Sequence, residues 1–225
     1  MSVLLQVYRT CLEMAYARGY VDVVPRLEEI NRIKTQEEFD IMMDTIEDDG
    51  WEFSKYDSDV KYRYSRSFSV AHLTEPRRLF VIFEGVNKNS TSLLSRIILG
   101  YRKGPERFKM EVVYVHQTSF TNIAKDKFAT IETLVNLQTF MDLDLMKNPG
   151  SHQQGALRYE RLTKEESETL LSALHVKPQM LPRIMSTDPP VKYFGFQKGD
   201  IVRVVRSPNI EGNLCRETYA YRVVV

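Results

Sequence analysis

Asp57, Asp59, Glu111 and Lys125 are the residue types of a metal-dependent nuclease. Two or three carboxylates converging on Mg²⁺, with a lysine beside them, would activate water against a phosphodiester. Their spacing gives this chemistry little support. Asp57 and Asp59 stand in a Tyr- and Ser-rich stretch, and Glu111 heads an apolar run without a compact acidic-x-lysine pattern. The histidines are His72, His116, His152 and His175, and no two share the i, i+4 spacing of a metal-binding helix. His72 and His116 end adjacent expected strands, which would bring them near one another, and each reads as a hydrogen-bonded strand-end residue. Ser151 and His152 are neighbours, but they fall in a linker-like stretch. No glycine-rich phosphate loop occurs. No metal or cofactor is expected.

Residues suited to binding are more numerous. Tyr56, Tyr62, Tyr64 and Phe68 interleave with Lys55, Lys61, Arg63 and Arg66, as stacking platforms and cations do in single-strand binders. The aromatic positions also share one parity, so the inward face of an extended segment is the reading they favour. A second group is the passage from Leu181 to Arg206. Leu181-Pro182 holds the chain extended, and Asp188-Pro189-Pro190 is expected to form a stiff turn. Lys192 to Phe196 puts three aromatics around Gly195. A stiff passage loses little entropy on docking, and aromatics beside arginine make interface anchors. The alternation of Ile201 to Val205 is expected to turn Arg203 outward. The alternative is that the prolines brace a small domain.

Composition narrows the classes. With 225 residues, 43% of them hydrophobic, the chain can bury a core in one large or two small domains. A net charge of +1 argues against coating nucleic acid by bulk electrostatics. Charge is nevertheless uneven: residues 34–59 hold ten acidic and two basic residues, and residues 61–78 hold five basic and one acidic. No apolar run approaches the ~20 residues of a membrane span. The two cysteines, Cys11 and Cys215, make no disulfide framework and fit a reducing compartment.

The elements that must position these residues can be read from period and caps. Residues 4–18 predict an amphipathic helix with Leu5, Leu12, Ala15 and Tyr16 near one face and Gly19 as a left-handed cap. Pro25 suits the first turn of a short helix through residue 33. Thr35 and Glu38 make a capping box for a helix to about residue 47, with Phe39, Met42, Met43 and Ile46 inward. Strands are expected over 67–73, 79–84, 110–116 and 133–137, with the third buried on both faces. Helices are expected over 90–102 and 121–130. This order is that of an α/β sheet domain. Residues 147–155 read as a linker. Thr163 and Glu166 then form a second capping box for a helix ending near His175, and residues 201–205 and 219–225 are strands joined by a long hairpin loop. The boundaries are therefore 1–146, 147–155 and 156–225.

The C-terminal passage also carries a family pattern, in Leu181, Pro182, Arg183, Ile184, Asp188, Pro189, Lys192, Tyr193, Phe194, Gly195, Gly199, Val202 and Arg206. It resembles the assembly domain of the fifth subunit of eukaryotic RNA polymerases, a family that includes an archaeal counterpart. Tyr221-Arg222-Val223 resembles that family's closing residues, and the capping box at Thr163 fits too. Tyr8-Arg9, Arg18-Gly19-Tyr20, Val70-Ala71-His72 and the run from Leu79 resemble the eukaryotic N-terminal jaw domain.

The resemblance implies an α/β N-terminal jaw domain, restriction-endonuclease-like and non-catalytic, plus a small α+β C-terminal assembly domain. It implies a nuclear, non-catalytic polymerase subunit, or one found in a cytoplasmic viral factory or virion if virus-encoded. Its partners would be the largest polymerase subunit and its neighbours, with weak contact to downstream duplex DNA and none to membrane. The partner-binding residues would be Leu181, Pro182, Arg183, Ile184, Asp188, Pro189, Lys192, Tyr193, Phe194, Gly195, Arg206, Tyr221 and Arg222. Thr121, Asn122, Lys125 and Lys127 would lie near DNA. The chain departs from the family pattern at Asn122, where a proline is missing, at Ala156 to Tyr159, and in a longer loop around residues 212–217. These departures suit a divergent lineage, a virus-encoded copy or a class-specific paralogue. A metal-dependent nuclease and a free-standing nucleic-acid-binding protein are the alternatives.

Overall fold

Helix α1 (Val3–Ala17) carries apolar residues on nearly every side, and Leu4, Leu5, Val7, Tyr8, Cys11, Leu12, Met14 and Ala15 are all buried. Only a narrow stripe through Val3, Gln6, Arg9, Glu13, Tyr16 and Ala17 reaches water. The expected single buried face is thus too small, and Tyr16 points out, at 52% exposure. The helix is central because it has neighbours on several sides. The computed structural model describes residues 3–45, 66–84, 94, 109–148, 157–206 and 217–225. The chain falls into two units, Met1–Lys147 and Asn148–Val225.

In the first unit, α1 leads through a 3₁₀ turn (Val21–Val23) into α2 (Val24–Arg32), with Pro25 in the first turn. Arg9 on α1 donates to the carbonyls of Ile30 and Ile33 at 3.0 and 3.2 Å, which satisfies acceptors left over at the end of α2. Helix α3 (Gln36–Thr45) follows the expected box: Glu38 N–H donates to Thr35 Oγ1 at 3.2 Å, and Thr35 N–H returns to Glu38 Oε2 at 3.2 Å. Phe39 and Met43 are buried and Met42 is partly so, while Ile46 lies outside the described residues.

The sheet of this unit has the order β1 (Phe68–Ala71), β2 (Arg77–Phe83), β3 (Lys109–His116), β4 (Asn136–Met141). β1 is antiparallel to β2, and β2, β3 and β4 are parallel. β3 is buried on both faces, as its unbroken apolar run requires. One face of the sheet meets α1, where Tyr8 packs on Phe68 and Phe83. The other holds Phe80, Ile82, Met110, Val112 and Tyr114 against Leu94 and against Phe128 and Ile131 of α4 (Asn122–Glu132). The expected helix over 90–102 lies outside the described residues except for buried Leu94. β4 begins three residues later than expected, because Leu134 and Val135 still turn back on Ile131 at the end of α4. A short α5 (Asp142–Leu145) closes the unit.

The second unit has a sheet ordered β5 (Leu157–Arg161), β7 (Ile201–Arg206), β8 (Thr218–Val224), β6 (Arg183–Ile184). Only β6 is parallel to its neighbour. Helix α6 (Lys164–Leu174) covers one face through Leu170 and Leu171, which meet Leu162, Leu181, Ile201 and Val223. Helix α7 (Pro189–Phe194) covers the other, where Val191 and Phe196 meet Ile184, Val202, Val204 and Val224. Residues expected to form a stiff turn are therefore a short helix. Pro189 sits at its first position, where no N–H is needed, and Gly195 ends it at φ 70°. The box opening α6 is formed as read, with Glu166 N–H on Thr163 Oγ1 at 3.2 Å and Thr163 N–H on Glu166 Oε2 at 2.8 Å. Thr163→Ala is expected to lower the stability of this unit by about 1 kcal/mol, read as a shift of the urea midpoint without a change of slope.

Candidate functional site

The two stretches that carry the family pattern occupy different units and can be built separately. In the C-terminal unit, β6 and α7 supply most of the expected partner-binding residues. Leu181, Ile184 and Tyr193 are buried within the unit, Tyr193 at 2% exposure. Phe194 is partly buried, stacked with Phe196 at 5.5 Å and near Tyr159 at 6.0 Å. The aromatics expected to be exposed anchors are thus largely the unit's own core. What reaches water is the rim: Pro182, Arg183, Pro189 and Arg206, with Asp188, Lys192, Gly195, Tyr221 and Arg222 half-buried. Arg222 donates from Nη1 to the Arg183 carbonyl at 3.2 Å, and Asp188 accepts from Met185 N–H at 3.2 Å. These bonds fix the rim to the sheet edge.

Arg203 is not turned freely outward. Its Nε donates to Glu160 Oε2 at 2.8 Å across the β5–β7 pair, and Tyr221 stands opposite it on β8. Val202 and Val205 are both buried, so β7 is covered on two faces. The hydrogen bond from Arg203, and then that from Arg158, holds the Glu160 carboxyl below the usual glutamate range. A depressed folded pKa contributes stability that is present above the unfolded pKa and lost as pH falls through the folded one. Glu160→Gln should therefore lower the melting temperature near neutrality, and its difference from the parent should vanish below the ordinary glutamate range. A pH series of thermal melts reads this directly.

In the N-terminal unit, Thr121, Asn122, Lys125 and Lys127 lie together at the start of α4, which follows the C-terminal end of β3. Thr121 is the N-cap, its Oγ1 accepting from Ala124 N–H at 3.3 Å. All four residues are exposed, as is the neighbouring Ile123. The arrangement presents two exposed ammonium groups beside Asp126.

The nuclease constellation is not assembled by the described residues. Glu111 lies near the start of β3, whereas Lys125 lies on the helix after that strand's other end. Glu111 is instead engaged by two arginines: Arg77 Nη1 at 3.4 Å and Arg18 Nη1 at 4.0 Å, with side-chain exposures of 14% and 3%. Asp57 and Asp59 lie outside the described residues, and among the described ones no group of three His, Cys, Asp or Glu side chains gathers as a metal site. His72 and His116 do not meet either. His72 pairs beside Arg77 at the start of β2, and His116 closes β3 at the opposite end of the sheet. His116 hydrogen-bonds the Thr118 carbonyl through Nδ1 at 2.9 Å. Of the Tyr–Lys segment, only Arg66 and Phe68 are described. Both are buried, Arg66 on Asp40 at 3.1 Å and over the Phe39 ring at 5.7 Å. For Phe68 the inward reading holds, and the burial of Arg66 was not foreseen.

Sequence reasoning missed how Arg18-Gly19-Tyr20 and His72 belong together. Arg77 Nη2 donates to the Arg18 carbonyl at 3.2 Å and its guanidinium lies 5.2 Å from the Tyr20 ring centre. The Tyr20 ring meets His72 edge-on at 5.4 Å. Burial, and then the nearby Glu111 charge, raises the Tyr20 phenol above its ordinary pKa. Gly19 adopts φ +91°, and a Cβ there would come within 2.9 Å of His72 Nε2. Two segments some fifty residues apart in sequence are thus one structural unit.

Comparison with known proteins bears on both units. Residues 152–224 match the family model described as RNA polymerase Rpb5, C-terminal domain. Over 224 residues, 99% of this chain and 95% of the relative, the chain is 27% identical to a protein of Caenorhabditis briggsae named DNA-directed RNA polymerases I, II, and III subunit RPABC1. The Caenorhabditis elegans protein of the same name is 26% identical over the same span. The Dictyostelium discoideum protein of that name is 32% identical over 109 residues, 48% of this chain and 55% of the relative.

Proposed function

We propose that this chain, a divergent relative of the Rpb5 subunits of RNA polymerases, is itself a non-catalytic subunit of a multisubunit DNA-directed RNA polymerase in the nucleus. The observation that carries this reading is the match of residues 152–224 to the Rpb5 C-terminal domain, within a similarity that spans 99% of the chain. In this reading the C-terminal unit docks on the largest polymerase subunit. The N-terminal unit, with its sheet between helices, is the restriction-endonuclease-like jaw near downstream duplex DNA.

The geometry divides the labour within the C-terminal passage. Tyr193, Ile184 and Leu181 hold the unit together. Pro182, Arg183, Pro189 and Arg206 are the side chains left to touch a partner. At the jaw, Lys125 and Lys127 meet phosphates without reading bases, so the contact is weak, independent of sequence and dependent on salt.

The test is affinity capture of the tagged full chain from its native cells, with the partners identified after size exclusion. Co-elution of the two largest polymerase subunits near stoichiometry is expected. Elution alone, near the chain's own 26.3 kDa, overturns the assignment. On the captured complex, Lys125→Glu is expected to weaken duplex binding and to lower the slope of log affinity against log salt by about one. An unchanged slope removes this loop from the DNA contact.

A further inference from the structure

The C-terminal sheet is only partly covered on the face that meets α6. The row of side chains packed against α6 is Leu162, Ile201 and Val223. Strand side chains alternate, so the next two rows on the same face are Glu160, Arg203 and Tyr221, then Arg158, Val205 and Tyr219. Val205 is fully buried, but Tyr219 is 55% exposed and the Arg158 side chain 63%. Arg158, Glu160, Arg203, Tyr219 and Tyr221 line a cleft of about 170 Å³. Pockets for whole small molecules begin at about 300 Å³, so this one has room for the head of a side chain.

Hydrogen bonding leaves the cleft with free donors and an engaged carboxylate. Glu160 accepts from Arg158 Nε on Oε1, and from Arg203 Nε and Nη2 on Oε2. Arg158 keeps both Nη groups, and Arg203 keeps Nη1, without a partner among the described residues. Glu160 already holds both planar heads, so presenting these N–H groups costs little further side-chain entropy. The Tyr219 hydroxyl donates to Glu217 at 2.9 Å, which fixes the ring at the edge of the cleft. An occupant must therefore accept hydrogen bonds. A nucleic-acid strand fits poorly, because Glu166 acts on Arg203 and Glu217 borders Tyr219, and a polyanion calls for cations in series. A single carboxylate suits a guanidinium fork. Arg158 falls in the stretch from Ala156 to Tyr159 and Glu217 in that of residues 212–217, where the chain departs from the family pattern. Only Tyr221 is shared with the expected docking residues.

We propose that this cleft receives an aspartate or glutamate side chain of a partner protein. The carboxylate takes the free N–H groups of Arg158 and Arg203, and an adjoining apolar residue packs on the exposed Tyr219 ring. Tyr and Arg are enriched among the side chains that carry binding energy in such contacts. Polymerase association does not enter the test.

The full chain is offered a display library of random heptapeptides. The recovered peptides are expected to share an aspartate or glutamate beside an apolar residue. One of them is then synthesised and titrated into the full chain, with affinity read by fluorescence anisotropy and contact by NMR. Shifts are expected at Arg158 and Arg203 Nε–H and at the Tyr219 amide. Exchanging the acidic residue of the peptide for its amide is expected to weaken binding about tenfold or more. Arg158→Gln should do the same at a melting temperature close to the parent's, since an exposed ion pair adds little stability. Arg158→Lys restores the charge without the fork and should recover only part of the loss. A uridine oligonucleotide is expected not to compete. A library without acidic preference, equal binding of the amide peptide, unweakened binding by Arg158→Gln, or competition by the oligonucleotide overturns the proposal.

Discussion

Glu111→Ala is expected to destabilise the N-terminal unit by about 3–5 kcal/mol, the usual cost of removing one partner from a buried ion pair. The carboxylate has 8% of its side chain exposed and is the acidic group facing both Arg18 and Arg77. Removing it leaves two guanidinium groups facing each other with no counter-charge between them. They differ in what remains. Arg77 keeps the exposed Glu75 carboxylate at 3.0 Å. Arg18, almost wholly buried, also bonds the Gln138 amide oxygen at 2.6 Å and the Met14 sulfur. The loss falls on the junction of α1 with β3 and β4. Hydrogen exchange of β3 and β4 amides across a urea series reads the N-terminal unit. Glu111→Gln keeps the shape and should cost less than the alanine, though still more than a surface change. A loss below about 1 kcal/mol for Glu111→Ala would mean that the arginines find other acceptors, and that this network does not hold α1 to the sheet.

The same network shows what can be read from a sequence. Caps are local, so Thr35–Glu38 and Thr163–Glu166 were legible within four residues. The apolar run of β3 was legible for the same reason, since burial on both faces leaves no alternation. Glu111 was visible only as a carboxylate with a role, and the nearest chemical precedent for it was a metal site. Its true partners stand 93 residues upstream and 34 residues upstream, a pairing that no local pattern contains. The histidines are hydrogen-bonded at strand ends as read, His72 Nδ1 accepting from Thr74 and Glu75 N–H and His116 bonding the Thr118 carbonyl. They do not meet because β1 runs against β2, so the end of β1 and the end of β3 lie at opposite margins. In the C-terminal passage, paired prolines read as a turn because proline breaks helices in their interior. At the first positions of a helix the same residue is favoured, and only the αL glycine at Gly195 signalled that a helix ended there.

Tyr193→Ala bears on the docking reading. Seen as a sequence motif, Tyr193 is a partner-facing anchor, and its removal would loosen assembly while leaving the N-terminal domain folded. Its 2% exposure moves the cause from lost contact to lost folding of its own unit. The ring is enclosed in its own unit and meets Phe194 edge-on at 5.1 Å. Truncating a buried aromatic leaves a cavity and is expected to cost the C-terminal unit about 3–5 kcal/mol, close to the whole stability that a unit of this size commands. The expected result is an early loss of amide protection in β7 and β8 across a urea series, with the protection of β3 unmoved. Assembly fails as a consequence of unfolding and says nothing of contact. Arg183→Glu separates the two causes. Arg183 is exposed and only its carbonyl is used, by Arg222, so the variant should melt like the parent. If the rim is the docking surface, Arg183→Glu loses polymerase subunits in affinity capture while remaining folded. If it assembles as the parent does, the partner meets another face of this unit, and the family pattern from Leu181 to Gly195 is explained by folding alone.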